Sequence, residues 1–259
     1  MNIFPFAEKP LLFGHRGCSK AYPENTLAAF RGILENNIPG VELDIHMCKS
    51  GELVVMHDFN TLRTTGVDAL VEDLDYNEVK DLDAGALFSP DFKGERVPSL
   101  EEVFELMGNS VYYDIEIKHH RRKYGIMEKK AIELIKKFGL EERVIVSSFN
   151  PFAIKGVKKY DPSLPTAVIY AVHPKVPFIL QRGGGKYIAQ PDILKPDKAQ
   201  VTRKMVRTQK QKKKYGIIAW VEDDPTDAEK LLKLGVDGIV SNQPEMLQAT
   251  VAQFYSAQT

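Results

Sequence analysis

The chain has 259 residues, 43% of them hydrophobic, with Lys+Arg and Asp+Glu balanced at 35 each and a formal net charge of zero. That length can bury a full core as one large α/β domain, residues 1–259, and the balanced charge gives no overall attraction to nucleic acid or an anionic membrane. Two cysteines, Cys18 and Cys48, are too few for a disulfide framework and read as thiols of a cytoplasmic protein.

Residues 1–10 (MNIFPFAEKP) have neither the basic start nor the apolar run of a signal or transit peptide. No stretch approaches the roughly 18 apolar residues of a membrane span, so stable membrane insertion is not expected. From residue 11 onward, short apolar runs alternate with amphipathic ones. Strands are expected at 11–13, 41–45, 112–117, 144–147, 166–170, 187–190, 217–220 and 238–240. Most are apolar nearly throughout, as suits strands covered on both faces of a parallel sheet. Helical periodicity marks 24–35, 99–107, 127–138 and 226–234. The second of these opens on Pro98-Ser99-Leu100-Glu101-Glu102, a capping-box pattern. Eight strands with intervening helices in about 250 residues predict a (β/α)₈ TIM barrel. Residues 52–98 break the rhythm with a short apolar run, a loop and a small helical pattern. They read as an insertion after the second strand, lying over the barrel mouth. The basic run at 210–214 (KQKKK) reads as a solvated helix end, and no nucleic-acid footprint is expected.

The ionisable residues fall repeatedly at the C-terminal ends of the strand-like runs. Gly14-His15-Arg16-Gly17 closes the first, and His57-Asp58 closes the run 53–56. Glu42 and Asp44, two apart on a strand, leave one face together, and Asp114, Glu116 and Lys118 repeat that spacing. Carboxylates gathered in this way repel one another unless a cation lies among them. A hard divalent ion, Mg²⁺ or Ca²⁺, suits an all-oxygen set, and ion pairs to Arg16 or Lys118 are the alternative. His15 and His57 supply groups that titrate near neutrality and can exchange protons with a nucleophile and a leaving group. Arg16 adds a planar cationic fork suited to phosphate. Together these residues suit group transfer at an anionic, oxygen-rich centre, for which a phosphodiester is the natural candidate.

In this order and close spacing, His15-Arg16-Gly17, Pro23-Glu24-Asn25-Thr26, Glu42-Leu43-Asp44 and His57-Asp58 resemble the glycerophosphodiester phosphodiesterase family. Arg63 with Thr64-Thr65-Gly66, Glu116-Ile117-Lys118, Ser148-Phe149 and the closing Gly235-Val236-Asp237-Gly238 extend the resemblance along almost the whole chain. It implies a barrel with a small insertion, a divalent ion on Glu42, Asp44 and Glu116, an acid–base pair of His15 and His57, and phosphate held by Arg16 and Lys118. The implied reaction releases sn-glycerol 3-phosphate and an alcohol from a deacylated phospholipid, by attack of the glycerol 2-hydroxyl through a cyclic phosphate. A lysophospholipase D on the same barrel and a barrel that only binds a phosphorylated ligand are the alternatives.

Two departures from the family pattern stand in the second half. The usual Trp-Thr-Val-Asn reads Trp220-Val221-Glu222-Asp223, and the usual Thr-Asp before proline reads Ser241-Asn242-Gln243-Pro244. The retained Trp220 offers a flat apolar face to the substrate or, equally, to the rim of the core. Residues 176–180, ahead of Gly183-Gly184-Gly185, read either as an apolar lip that admits a lipid chain or as a plain surface helix and turn.

Overall fold

The structure, a computed structural model, describes residues 11–119 and 124–256, so the decapeptide at the start of the chain lies outside it. Among the described residues nine strands form: β1 (Leu11–His15), β2 (Gly40–Met47), β3 (Leu53–Val55), β4 (Tyr112–Ile117), β5 (Val144–Ser148), β6 (Thr166–Tyr170), β7 (Ile193–Pro196), β8 (Gly216–Ala219) and β9 (Gly238–Ser241). Eight of them pair in parallel around a closed ring, β1 joining both β9 and β2, which makes a (β/α)₈ barrel. The ninth, β3, runs antiparallel on β2 with Ile45 opposite Val55, and so begins the insertion expected after the second strand.

Alternation along the strands divides the interior into two layers. Phe13, Ile145, Ala167, Ile193, Ile218 and Val240 form an apolar plug inside the ring. Two residues farther along β1, β5 and β7 the same face carries His15, Ser147 and Lys195, so the barrel becomes polar towards its C-terminal end. The opposite face, including Val41, Leu43, Ile45 and Ile115, packs against the surrounding helices in the main core. Truncating a fully buried residue there, such as Ile45 to alanine, costs about 2–5 kcal/mol.

The helices start where the chain supplies caps. Thr26 accepts from the Ala29 amide at the start of Leu27–Glu35, and Ser99 with Glu102 forms the expected capping box ahead of Leu100–Met107. Asp224 caps Pro225–Leu234, which ends on the left-handed Gly235. The insertion packs its Val54, Met56, Val71, Val79, Ala84 and Val97 with Cys48 into a small core.

One expected strand is corrected. Residues 187–189 belong to a helical turn, Lys186–Ala189, that Gln190 ends, and the sixth strand of the barrel, β7, is Ile193–Pro196. Its sequence, ILKP, hides the strand because its lysine is buried in the barrel interior and its proline stands at the strand end. Residues 176–180 form turns rather than a helix, with Phe178 88% and Ile179 75% exposed. Lys212, Lys213 and Lys214 of the basic run are exposed, while Lys210 pairs with Asp237 at 2.6 Å. Cys18 and Cys48 are both free and buried. No helix among the described residues is long and apolar enough to cross a membrane.

Candidate active site

At the end of β1 the chain turns sharply through His15, Arg16 and Gly17. Gly17 has φ +84°, and a Cβ there would lie 2.8 Å from the backbone of Ala29, so only glycine lets the turn close against the following helix. Arg16 and Asn25 are also left-handed, with φ of 57° and 58°. Asparagine tolerates this conformation and arginine does so at a cost of about 1 kcal/mol or more. Both side chains reach the same carboxylate. Asn25 Nδ2 donates to Asp44 Oδ2 at 2.9 Å, and Arg16 Nε lies 3.4 Å from that oxygen.

The four acids of β2 and β4 stand side by side, because the register sets Glu42 against Asp114 and Asp44 against Glu116. All four are buried, and they face three buried or largely buried cations. Lys195 meets Asp114 at 2.6 Å, Lys118 lies between Asp44 (3.0 Å) and Glu116 (2.7 Å), and Arg16 joins Asp44 and Glu24. Both ion pairs foreseen as the alternative to a metal, Arg16 and Lys118 with Asp44, are therefore present. Burial opposes ionisation of Asp44, but Lys118 and Arg16 more than offset it and hold this carboxyl well below its usual range. Glu42 goes the other way: burial, then repulsion from Asp44, raises it well above the ordinary carboxylate range. Burial also disfavours the charge on Lys118, yet Asp44 and Glu116 raise it above the usual lysine value.

Glu42, Asp44 and Glu116 each present an oxygen, and these atoms all lie within 4.8 Å of one another. That spread suits a single hard cation at ordinary oxygen–metal distances of about 2.0–2.6 Å. The excess of negative charge that destabilises ionised Glu42 is what such an ion would relieve, so the donor set fits a divalent metal.

The two histidines differ in their partners. His15 is largely buried. Its Nδ1 lies 2.6 Å from Asn242 Oδ1 and its Nε2 is 3.9 Å from Glu42 Oε2. Burial, followed by the charge of Arg16, lowers its pKa to about 4. His57, delivered by the chain just after β3, donates from Nδ1 to Asp58 Oδ1 at 2.6 Å. Asp58 is bound in turn by Arg63, which also grips Glu24 through contacts of 2.6 and 2.9 Å. Glu24 thus links Arg63 of the insertion to Arg16 of the first turn.

His15, Arg16, Glu42, His57, Glu116 and Lys118 all line a cavity of about 1090 Å³. Phe149, Val172, Val176, Ile179, Leu180 and Trp220 add apolar surface to the wall of the same cavity. Trp220 packs edge-on against Phe149 with ring centres 5.5 Å apart and donates from Nε1 to the Lys195 carbonyl at 2.9 Å. The ring thus faces the cavity while its polar edge is satisfied in the wall. Sequence reasoning missed Lys195, Asn25 and Asn242 as parts of this site. A lysine in an otherwise apolar strand-length run was the available signal for the first.

A family model described as the glycerophosphoryl diester phosphodiesterase family matches residues 15–246. A glycerophosphodiester phosphodiesterase of Caldanaerobacter subterraneus subsp. tengcongensis is 40% identical over 240 residues, covering 92% of this chain and 96% of the relative. Among solved structures, an Oleispira antarctica phosphodiesterase in complex with the product sn-glycerol-3-phosphate superposes with a TM-score of 0.83 at 25% identity, over 94% of this chain and 97% of that one. The Thermotoga maritima glycerophosphodiester phosphodiesterase matches with a TM-score of 0.72 at 26% identity, over 93% and 97%. With that match spanning most of the barrel and both histidine turns, the chain belongs to the glycerophosphoryl diester phosphodiesterase family.

Proposed function

We propose that this protein is a divalent-metal-dependent phosphodiesterase that hydrolyses small glycerophosphodiesters, the deacylated phospholipids, to sn-glycerol 3-phosphate and an alcohol. The observation that carries this is the convergence of two histidines and two cations in one cavity with a cluster of three carboxylate donors, two of which line it. The chain works as one catalytic domain in the cytoplasm, with the insertion of about residues 52–98 bringing His57 to the barrel.

The substrate phosphate lies against Arg16 and Lys118. Glu42, Asp44 and Glu116 would hold the metal, Mg²⁺ or Ca²⁺, which supplies charge neutralisation and acidifies a coordinated hydroxyl. The Lys118 ammonium, held beside the same carboxylates, would bind the phosphate together with the Arg16 guanidinium. The glycerol 2-hydroxyl attacks phosphorus, and one histidine takes its proton. The P–O bond to the alcohol breaks, and the other histidine protonates that oxygen. Water then opens the cyclic phosphate with the proton roles reversed. Trp220 lies against the glycerol or the alcohol.

The test is a panel of glycerophosphocholine, -ethanolamine, -glycerol and -inositol, with Mg²⁺ or Ca²⁺ and with EDTA, scored by released sn-glycerol 3-phosphate. Turnover that EDTA stops and metal restores is expected. Full turnover in metal-free buffer refutes the carboxylate-metal reading.

A second reading, lysophospholipase D action on the same centre, is favoured by the apolar residues in the cavity wall and by the exposed Phe178 and Ile179, the latter part of that wall. A pocket of that volume exceeds what a small head group fills. Replacing both residues by serine is expected to lower turnover of lysophosphatidylcholine several-fold and leave glycerophosphocholine turnover unchanged. An equal effect on both substrates removes this reading.

A further inference from the structure

The two stretches in which the sequence departs from its family pattern meet through Asp223 and Asn242, and Asn242 also meets His15. Asp223 follows β8, and Asn242 follows β9. Asn242 donates from Nδ2 to Asp223 Oδ2 at 2.8 Å and from its backbone amide to Asp223 Oδ1 at 2.7 Å. Ser241 Oγ donates to the same Oδ1 at 2.8 Å. Three donors therefore converge on one carboxylate. Burial disfavours its charge, but hydrogen bonds from Asn242 and Ser241 prevail and lower its pKa below the ordinary aspartate value.

An ionised carboxylate only accepts, so the group of Asn242 facing Asp223 is its NH₂. The amide cannot flip without setting its oxygen against that carboxylate. Its Oδ1 must then point the other way, where it receives Ser19 Oγ at 3.3 Å and lies 2.6 Å from His15 Nδ1. An amide oxygen also only accepts, so His15 Nδ1 carries the hydrogen. In the neutral ring the lone pair is then on Nε2, the nitrogen that faces Glu42 and the cavity. Asparagine alone would leave the ring ambiguous, since either end of a free amide can face it. Asp223 removes that freedom.

We propose that Asp223 and Asn242 are a positioning pair that sets the tautomer of His15, keeping its proton on Nδ1 and its Nε2 lone pair towards the substrate. His15 is then the histidine that accepts the proton of the attacking hydroxyl at Nε2. Its Nδ1–H stays on Asn242 throughout, and the proton is returned from Nε2 when water opens the cyclic phosphate. His57, held by a carboxylate instead of an amide, protonates the leaving alcohol. The last two assignments rest on the acid–base reading given above; the tautomer does not. A neutral amide also orients the ring without adding a further negative charge beside Glu42, where burial already works against ionisation.

The test reads the tautomer directly. Protein labelled with ¹⁵N-histidine is studied by long-range ¹H–¹⁵N correlation, metal-free and with Mg²⁺, and the His15 signals are identified by their loss in His15→Gln. The wild-type ring is expected to show a protonated Nδ1 and a pyridine-like Nε2. Asp223→Asn should introduce the second tautomer and lower kcat by about 10- to 100-fold, the usual effect of losing a ring-orienting partner, with KM nearly unchanged. The exchanged pair Asp223→Asn/Asn242→Asp is expected to restore the Nδ1–H tautomer and recover most of the lost kcat. A wild-type ring protonated on Nε2 overturns the proposal without any variant having to fold. So does an Asp223→Asn protein that keeps the single Nδ1–H form. Full turnover by His15→Ala with the wild-type spectrum as expected would discard the acid–base reading and leave the positioning pair standing.

Discussion

Replacing Lys195 by methionine should be among the most destabilising single changes in the barrel interior. The lysine is 1% exposed, its ammonium lies 2.6 Å from a fully buried Asp114, and its remaining close partner is Ser147 Oγ at 3.3 Å. Methionine fills much of the same volume but removes the charge. Asp114 is then left with one hydrogen bond, from Ser147 Oγ at 2.6 Å. Removing one member of a buried pair costs about 3–5 kcal/mol. An independent route gives a ceiling of similar size. A buried carboxylate without its cation escapes by taking up a proton, and neutralising an ordinary aspartic acid at pH 7 costs about 4 kcal/mol, falling to about 1.5 kcal/mol at pH 5. Lys195→Met should therefore lose about 4 kcal/mol at pH 7, equivalent to roughly 8–16 °C in Tm for a chain of this size. About 2.5 kcal/mol of that loss should vanish at pH 5. Asp114→Asn/Lys195→Met, which leaves no orphaned charge, should recover most of it. Urea unfolding followed by far-UV circular dichroism at both pH values measures these quantities. A loss below about 1 kcal/mol at pH 7, or one that persists unchanged at pH 5, would refute the account of a charge pair sustained by mutual burial.

His15→Ala and His57→Ala should each lower kcat by about 10²–10⁴ with an unchanged circular dichroism spectrum, and substantial residual turnover in either removes that residue from the acid–base pair. Glu116→Gln should weaken Mg²⁺ binding by at least about tenfold in titration calorimetry; unaltered affinity excludes Glu116 as a ligand. His46 is 4% exposed, and burial lowers its pKa to about 4 while its Nε2 binds the His57 carbonyl at 3.3 Å. The unfolded chain takes up this proton near pH 6.5, so the stability that neutral His46 contributes is complete above pH 6.5. It is lost as the pH falls towards 4, by at most about 3 kcal/mol. His46→Phe should flatten that part of the stability–pH curve, and an unchanged slope counts against the assignment.

Much of the barrel could be read from the chain because parallel strands covered on both faces are almost uniformly apolar. Val144, Ile145 and Val146 announce a strand without reference to anything else. β7 failed that criterion for a physical reason. Its Lys195 is inside the barrel only because Asp114, 81 positions earlier, is there to meet it, and no local pattern carries that information. The same holds for the site. Glu42, Asp44 and Glu116 were legible because a two-residue spacing fixes a face. Asn242 was not, because its meaning lies in contacts to His15, 227 residues away, and to Asp223. The reach of Arg63 to Glu24 across the first turn was equally invisible, although both residues belonged to recognisable motifs.

The hairpin that carries β3 back along β2 has a consequence for how this scaffold can vary. Cys48 and Glu52 close the turn through a 3.0 Å backbone bond, with Gly51 at φ +100°, and Met56 donates to the Asp44 carbonyl at 3.0 Å. His57 is thus tied by main-chain ladder bonds to the strand that bears Glu42 and Asp44. Adding a single residue within 49–51 would shift the ladder by one and turn every side chain of the returning strand to its opposite face. Loop changes farther out, around residues 66–95, leave that ruler untouched. Changes to those outer loops can therefore remodel the rim while the distance from His57 to the Glu42 and Asp44 carboxylates stays constant.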